Sequence, residues 1–170
     1  MTYGELQKIY QQLVQKLEER DLTAAAMESC TGGLIANLFT DISGASRVFY
    51  GCYVAYTNKV KTHYLVDPAI IGTFGVYSEQ TAAAMARCAA EGLETEIGIG
   101  VTGTLGRKDP GNDDSTPGIT WLAVYFRGKM RTGIVETAVE EDTPENRFAA
   151  KMKIAQAAAD LIAAVCAESL

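Results

Sequence analysis

An apolar run, Leu22 to Met27, ends abruptly at Glu28-Ser29-Cys30-Thr31-Gly32-Gly33, and an amphipathic run from Leu34 to Ile42 follows. The first run is short and wholly apolar, as in a buried strand, while the second has the period of a helix. Small polar residues and a glycine pair between them mark a tight turn. A strand feeding a helix in this way is the building unit of α/β proteins. The same turn lifts a side chain out of the sheet and faces it with the unpaired N–H groups that begin a helix. Ser29 thus stands at the exposed end of a buried strand, in a place suited to a nucleophile or to an anion site. Capping the helix is the plainer role for such a serine, although Thr31, directly before the two glycines, is better placed for it.

The remaining segments extend this pattern. Residues 3–20 put Leu6, Ile9, Tyr10, Leu13, Val14 and Leu17 on one helical stripe. From Arg47 to Thr57 the residues Val48, Tyr50, Cys52, Val54 and Tyr56 alternate with period 2, as a strand does. A helical turn is expected over Lys61 to Leu65, a short helix from Pro68, and an Ala-rich helix from Ser78, which is a plausible N-cap. Ile97–Val101 reads as a second buried strand ending in Thr102-Gly103. Residues 103–118, rich in Gly, Pro, Asp and Asn, form the one long loop. Ile119–Arg127 and Met130–Glu140 read as strands hinged at Gly128-Lys129, and Thr143-Pro144 opens the last helix with proline at its first position. The expected fold is α/β: a three-layer α/β/α sandwich with a mixed sheet, in a single domain over residues 1–170.

Composition narrows the function. The chain of 170 residues carries 21 acidic and 15 basic side chains, a net charge of −6. That balance argues against a dedicated nucleic-acid binder, which needs a basic face, yet leaves room for a local phosphate pocket. The four cysteines, Cys30, Cys52, Cys88 and Cys166, show no CxxC spacing, and Cys88 and Cys166 read as reduced helix-face residues. Met1 to Asp21 is a polar amphipathic helix rather than a signal, and no apolar run approaches the roughly 20 residues that span a bilayer. A soluble, cytoplasmic protein without membrane partners is expected, and a homodimer by the prevalence of two-fold assemblies.

A nucleophilic serine needs a base, and the single histidine, His63, lies in a polar stretch with no evident carboxylate to orient it. The recognised alternative to a Ser-His-Asp triad is a serine with a desolvated lysine. Tyr56-Thr57-Asn58-Lys59-Val60-Lys61 offers candidates beyond a strand end, although two lysines in three residues are also what a solvated turn carries. Strand-end loops of α/β proteins gather into one crevice, so Ser29, Tyr56, Lys61 and Thr102 can converge. Asp109, Asn112, Asp113 and Asp114 lack the alternation and closing Glu of a calcium loop and read as a polar turn; no metal site is expected. Arg147, in the first turn of the last helix, is either a solvated charge or a phosphate clamp.

Taken together, these segments resemble the nicotinamide-nucleotide amidohydrolase family, the C-terminal domain of the competence/damage-inducible protein CinA. The matching pieces run in family order: Glu28 to Gly33, Val54 to Lys61, Gly75-Val76-Tyr77-Ser78-Glu79, Val101-Thr102-Gly103, Gly118-Ile119-Thr120-Trp121 and Asn146-Arg147. The resemblance covers nearly the whole chain, which starts where that domain starts, so this domain alone is expected.

The resemblance implies hydrolysis of the carboxamide of nicotinamide mononucleotide to nicotinate mononucleotide and ammonia, without a cofactor. It makes Ser29 the nucleophile and Lys61 the base, with Tyr56 assisting proton transfer or orienting the lysine. The backbone of Thr31, Gly32 and Gly33 would stabilise the oxyanion or hold an anionic group. Cys30, Asn58, Thr102, Gly103 and Arg147 are the further expected contacts to the small-molecule nucleotide. Two departures stand out. The long loop runs Gly106 to Pro117 without the family's glycine-rich segment, and Asn146 replaces the Asp of an Asp-Arg pair. The loop is expected to overhang the crevice, where Arg107 and Lys108 would meet a phosphate and Asp109, Asp113 and Asp114 would oppose one. A Ser-Lys amidase for another small amide, and a non-catalytic nucleotide-binding or regulatory domain, are the alternatives.

Overall fold

The computed structural model describes residues 1–137 and 141–167. In chain order the elements are α1 (Tyr3–Glu19), β1 (Ala24–Glu28), α2 (Leu34–Thr40), β2 (Phe49–Val54), α3 (Asn58–His63), α4 (Pro68–Phe74), α5 (Glu79–Gly92), β3 (Ile97–Gly103), β4 (Ile119–Phe126), β5 (Lys129–Glu136) and α6 (Pro144–Ala167). The strands form one sheet in the order β2-β1-β3-β4-β5. β1 is parallel to both neighbours, whereas β3–β4 and β4–β5 are antiparallel. The sheet is therefore mixed, and helices cover both faces.

β1 is buried at every position, and strand alternation sends its side chains into two different cores. Ala24 and Ala26 join the larger core, built with Leu13 and Leu17 of α1, Ile35 and Leu38 of α2, and Ile154 of α6. Ala25 and Met27 face the other way, against Met85 and Ala89 of α5 and Val66 beyond α3. On that second face α5 lies almost on the sheet. A Cβ on Gly98 would stand 1.9 Å from the Ala86 carbonyl oxygen, and one on Gly100 would stand 2.1 Å from that of Ala82. Glycine on the strand and alanine on the helix are what such an approach requires.

Several boundaries move from the sequence expectation. β2 stops at Val54 rather than Thr57, because Thr57 is recruited as the N-cap of α3: its side chain accepts from the Val60 N–H at 3.3 Å. The helical turn expected at Lys61–Leu65 therefore begins at Asn58, which places Lys61 inside a helix rather than in a solvated turn. Gly33 precedes α2 as its N-cap with φ +96°, a conformation that suits glycine. β4 and β5 turn through Arg127 and Gly128 at φ +46° and +87°, the primed geometry of a two-residue hairpin. The expected extension of β5 to Glu140 reaches residues 138–140, which lie outside the described residues. Among the described residues no helix is long and apolar enough to cross a membrane.

Candidate active site

The alternation of β1 continues past its end. Ser29 donates its N–H to the Val101 carbonyl at 3.0 Å, so it still sits on the ladder with β3, and its hydroxyl points to the α5 side. There the Nζ of Lys61 lies 3.1 Å from Ser29 Oγ and 3.0 Å from the Ala55 carbonyl oxygen, to which it donates. Lys61 is 1% exposed, with no ion-pair partner among the described residues. Burial pushes its ammonium down from 10.5 to about 8, against weaker upward pulls from Cys30 and Asp109. Lys61 thus reaches its neutral amine form, hydrogen-bonded to a serine hydroxyl, at a lower pH than an ordinary lysine does, with half of it neutral at about pH 8. That is the arrangement in which an amine can take the hydroxyl proton.

Glu28 points to the opposite side and is fully buried. Its Oε2 accepts from the N–H groups of Gly33 at 3.0 Å and Ile35 at 3.2 Å, and its Oε1 from Ala36 at 2.8 Å. The orphan donors at the start of α2 are thus satisfied by a carboxylate from the chain itself. Gly32 donates to the Ser29 carbonyl. The expected oxyanion donors at Gly32 and Gly33 are therefore already engaged. Among the described residues the N–H groups of Cys30 and Thr31 reach no acceptor elsewhere in the chain, and they are the donors this turn leaves beside Ser29. Thr31 does not cap the helix: its Oγ1 is buried without a partner among the described residues.

Ser29 and Cys30 form the floor of a cleft of about 530 Å³. Tyr56, Asn58 and Lys59 wall one side, and Gly103 and Thr104 follow from the end of β3. The overhanging loop is pinned rather than free. Asn58 Nδ2 donates to Asn112 Oδ1 at 2.7 Å, Asn112 Nδ2 to Asp109 Oδ2 at 2.6 Å, and the Tyr77 hydroxyl to the same Asp109 oxygen at 2.5 Å. These bonds, led by that from Tyr77, hold the Asp109 carboxyl below its ordinary value. Asp114 is anchored away from the mouth, accepting from the Tyr77 N–H at 2.9 Å. At the other rim Asp142 pairs with Arg147 at 2.9 Å and Arg107 at 3.2 Å, so two guanidinium groups share one carboxylate beside the cleft.

The predicted residues divide accordingly. Ser29, Cys30, Tyr56, Asn58, Gly103 and Arg147 line the cleft, with Lys61 behind Ser29. Tyr56 is 62% exposed, and among the described residues its hydroxyl bonds to neither Ser29 nor Lys61; the Ala55 carbonyl orients the lysine instead. Thr102 is structural, donating to the Val76 carbonyl at 2.8 Å beneath the floor. Thr31, Gly32 and Gly33 are not part of the lining. His63 packs edge-on against Tyr64, with ring centroids 5.2 Å apart, away from the cleft. Burial pushes the Cys30 thiol up to about 11, which leaves it protonated and a poor competitor of Ser29. Asn146 serves its own helix start, donating through Nδ2 to the Glu141 carbonyl at 2.9 Å. Sequence reading missed Tyr77, Asn112 and Asp142 as parts of the site. Tyr77 and Asn112 stood in quoted segments, but nothing local distinguishes them from ordinary turn residues.

A family model described as the CinA C-terminal domain matches residues 6–166. A CinA-like protein of Gemmatimonas aurantiaca is 42% identical over 142 residues, which cover 83% of this chain and 32% of that protein. A CinA-like protein of Acidobacterium capsulatum is 44% identical over 109 residues, covering 64% of this chain and 26% of that protein. The chain thus spans at most about a third of the length of these curated relatives. Among solved structures, the competence/damage inducible protein CihA from Agrobacterium tumefaciens aligns with a TM-score of 0.85 at 27% identity, covering 96% of this chain and 97% of that one. A competence-damaged protein (CinA) superfamily protein from Escherichia coli aligns with a TM-score of 0.80 at 24% identity, over 95% and 92% of the two chains, a likeness of fold.

Proposed function

The chain belongs to the CinA C-terminal domain family, and from that premise we propose that it is a Ser-Lys amidohydrolase that cleaves the carboxamide of nicotinamide mononucleotide to give nicotinate mononucleotide and ammonia. The observation that carries this reading is the buried Lys61 amine 3.1 Å from Ser29 Oγ. In its neutral form the amine accepts the hydroxyl proton as Oγ attacks the amide carbon. The carbonyl oxygen gains negative charge, and the N–H groups of Cys30 and Thr31, which among the described residues reach no acceptor elsewhere in the chain, are suited to receive it. The tetrahedral adduct collapses with loss of ammonia, which takes its proton from the Lys61 ammonium. Water then enters, gives a proton to Lys61 and attacks the acyl-serine; the acyl–Oγ bond breaks, Lys61 returns that proton to Ser29 Oγ, and the acid leaves as the carboxylate after losing its own proton to solvent. The Ala55 carbonyl holds Nζ in place throughout, so no third side chain is needed to orient the base.

The size of the cleft supports a nucleotide-sized ligand, and the paired arginines at its rim support a phosphorylated one. The test is direct: purified protein is incubated with nicotinamide mononucleotide and ammonia is followed. Stoichiometric release of ammonia and nicotinate mononucleotide is expected. No release at any pH from 6 to 10, with the nucleotide shown to bind, would overturn the reading.

A further inference from the structure

The charges around the cleft are arranged unevenly. Cations come from Lys59, Arg107 and Arg147, whereas among the described lining residues Asp109 supplies the only carboxylate. It is also the most firmly held charge there. Its Oδ1 accepts from the Gly111 N–H at 2.8 Å, its Oδ2 from Tyr77 and Asn112, and its own N–H donates to Ser115 Oγ at 2.9 Å. These donors keep the carboxyl ionised and prevent it from swinging to the arginines. All of them are neutral groups of the chain itself, so among the described residues no cation in contact compensates its charge. Asn112 bonds both Asp109 and Asn58 of α3, the helix that carries Lys61, so the carboxylate is held on the Lys61 side of the cleft, while Arg107 and Arg147 are drawn to Asp142 at the rim.

We propose that Asp109 is a specificity determinant that selects an amide carried on a positively charged aromatic ring, with the negative end of the ligand directed to Arg107 and Arg147. This rests on the amidase reading for the position of the amide at Ser29 and extends it to the electronic character of the group bearing the amide. A fixed anion on the Lys61 side of the cleft and cations at its rim complement a ligand with a cationic ring and an anionic tail. The exposed ring of Tyr56 and the ring of Tyr77 offer aromatic faces to the same group, and a cation is attracted to such faces as well. A neutral ring of equal shape forgoes both attractions.

The experiment compares two ligands by calorimetry on the intact chain: nicotinamide mononucleotide, whose ring is cationic, and the 5′-phosphate of the benzamide C-riboside, whose ring is neutral. The wild-type protein should bind the cationic ligand about tenfold more tightly, the scale of one partly screened charge pair. Asp109→Asn should abolish that preference while leaving affinity for the neutral ligand within about twofold. The exchange Asp109→Asn with Asn112→Asp, which returns the charge one hydrogen bond away, should restore the preference. Equal binding of both ligands by the wild type, or parallel loss of both in Asp109→Asn, overturns the proposal, the latter by showing that Asp109 only shapes the loop. Ammonia release is scored separately. A ring-charge preference without ammonia removes the amidase reading and leaves this one; ammonia without a preference does the reverse; binding of neither ligand overturns both.

Discussion

Glu28 and Ser29, neighbours in the chain, serve opposite faces of the sheet: the carboxylate closes the start of α2 through Gly33, Ile35 and Ala36, and the hydroxyl meets Lys61. One residue of register thus separates a structural anchor from the proposed nucleophile. Glu28→Gln is isosteric but presents an NH2 to at least one of the three donors. We expect it to lower the unfolding free energy by about 2–3 kcal/mol, with Glu28→Ala at least as costly because it leaves buried N–H groups unpaired. Urea denaturation checks this. A change below about 0.5 kcal/mol would show that the helix start finds other acceptors.

Ser29→Ala should remove activity by about a thousandfold or more, since the acyl-enzyme route leaves no substitute oxygen. Its fold should persist, because Lys61 keeps the Ala55 carbonyl. Ammonia release and a circular-dichroism melt give both readings. Activity within about tenfold of wild type would remove Ser29 from the nucleophile's role.

Lys61 ties activity and stability to the same proton. As a base it works only when neutral, so kcat should rise with pH through a midpoint at about 8. For stability the sign is the same. Below that value Lys61 is protonated in both folded and unfolded chains, and the full cost of burying the charge is present. Between about 8 and its ordinary value of 10.5 the unfolded chain binds more protons, so stability rises with pH. Lys61→Met should abolish turnover, flatten this rise, and melt no lower than wild type at pH 7, since an apolar side chain suits the site. His63→Ala should keep its activity. A pH–rate profile that is flat between 7 and 9 for the chemical step would contradict the assignment.

Asp142 restrains the two arginines of the rim. Asp142→Asn should lower KM for the phosphorylated ligand several-fold and steepen its salt dependence, while Arg147→Met should raise KM with kcat little changed. The unphosphorylated riboside should be indifferent to both. Steady-state kinetics on the two substrates separate these outcomes. An equal effect on both would assign Arg147 to the architecture of the rim.

The strand–turn–helix at Ser29 was legible because an apolar run, two glycines and a helical period each point to one geometry, and the layers followed from the spacing of such runs. Lys61 was harder. In sequence it sits in a stretch with Asn58, Lys59, Thr62 and His63, and the helix start at Thr57 turns it inward, so its burial depends on a boundary that shifted by three residues. The donor at Gly33 was misjudged because the glutamate before Ser29 turns back to the helix start, and that at Gly32 because it closes a turn on the Ser29 carbonyl; linear spacing expresses neither. Asp142 and Tyr77 were invisible for a different reason. Each acts across a long stretch of chain, on Arg107 and on Asp109, and such partners emerge only from the folded topology.

The glycines of β3 let α5 settle against the sheet, and α5 begins at Ser78, whose hydroxyl and that of Thr81 both bond the Gly75 carbonyl. That turn in turn carries Tyr77, from which Asp109 and Asp114 hang. The height of the cleft's roof is thus set by two absent methyl groups buried beneath that helix. Alanine at Gly98 or Gly100 would touch no ligand and no catalytic atom, yet it would lift the helix and the loop fastened to its start. Such a variant would present as a change in ligand preference, and a map of the cleft alone would give no reason for it.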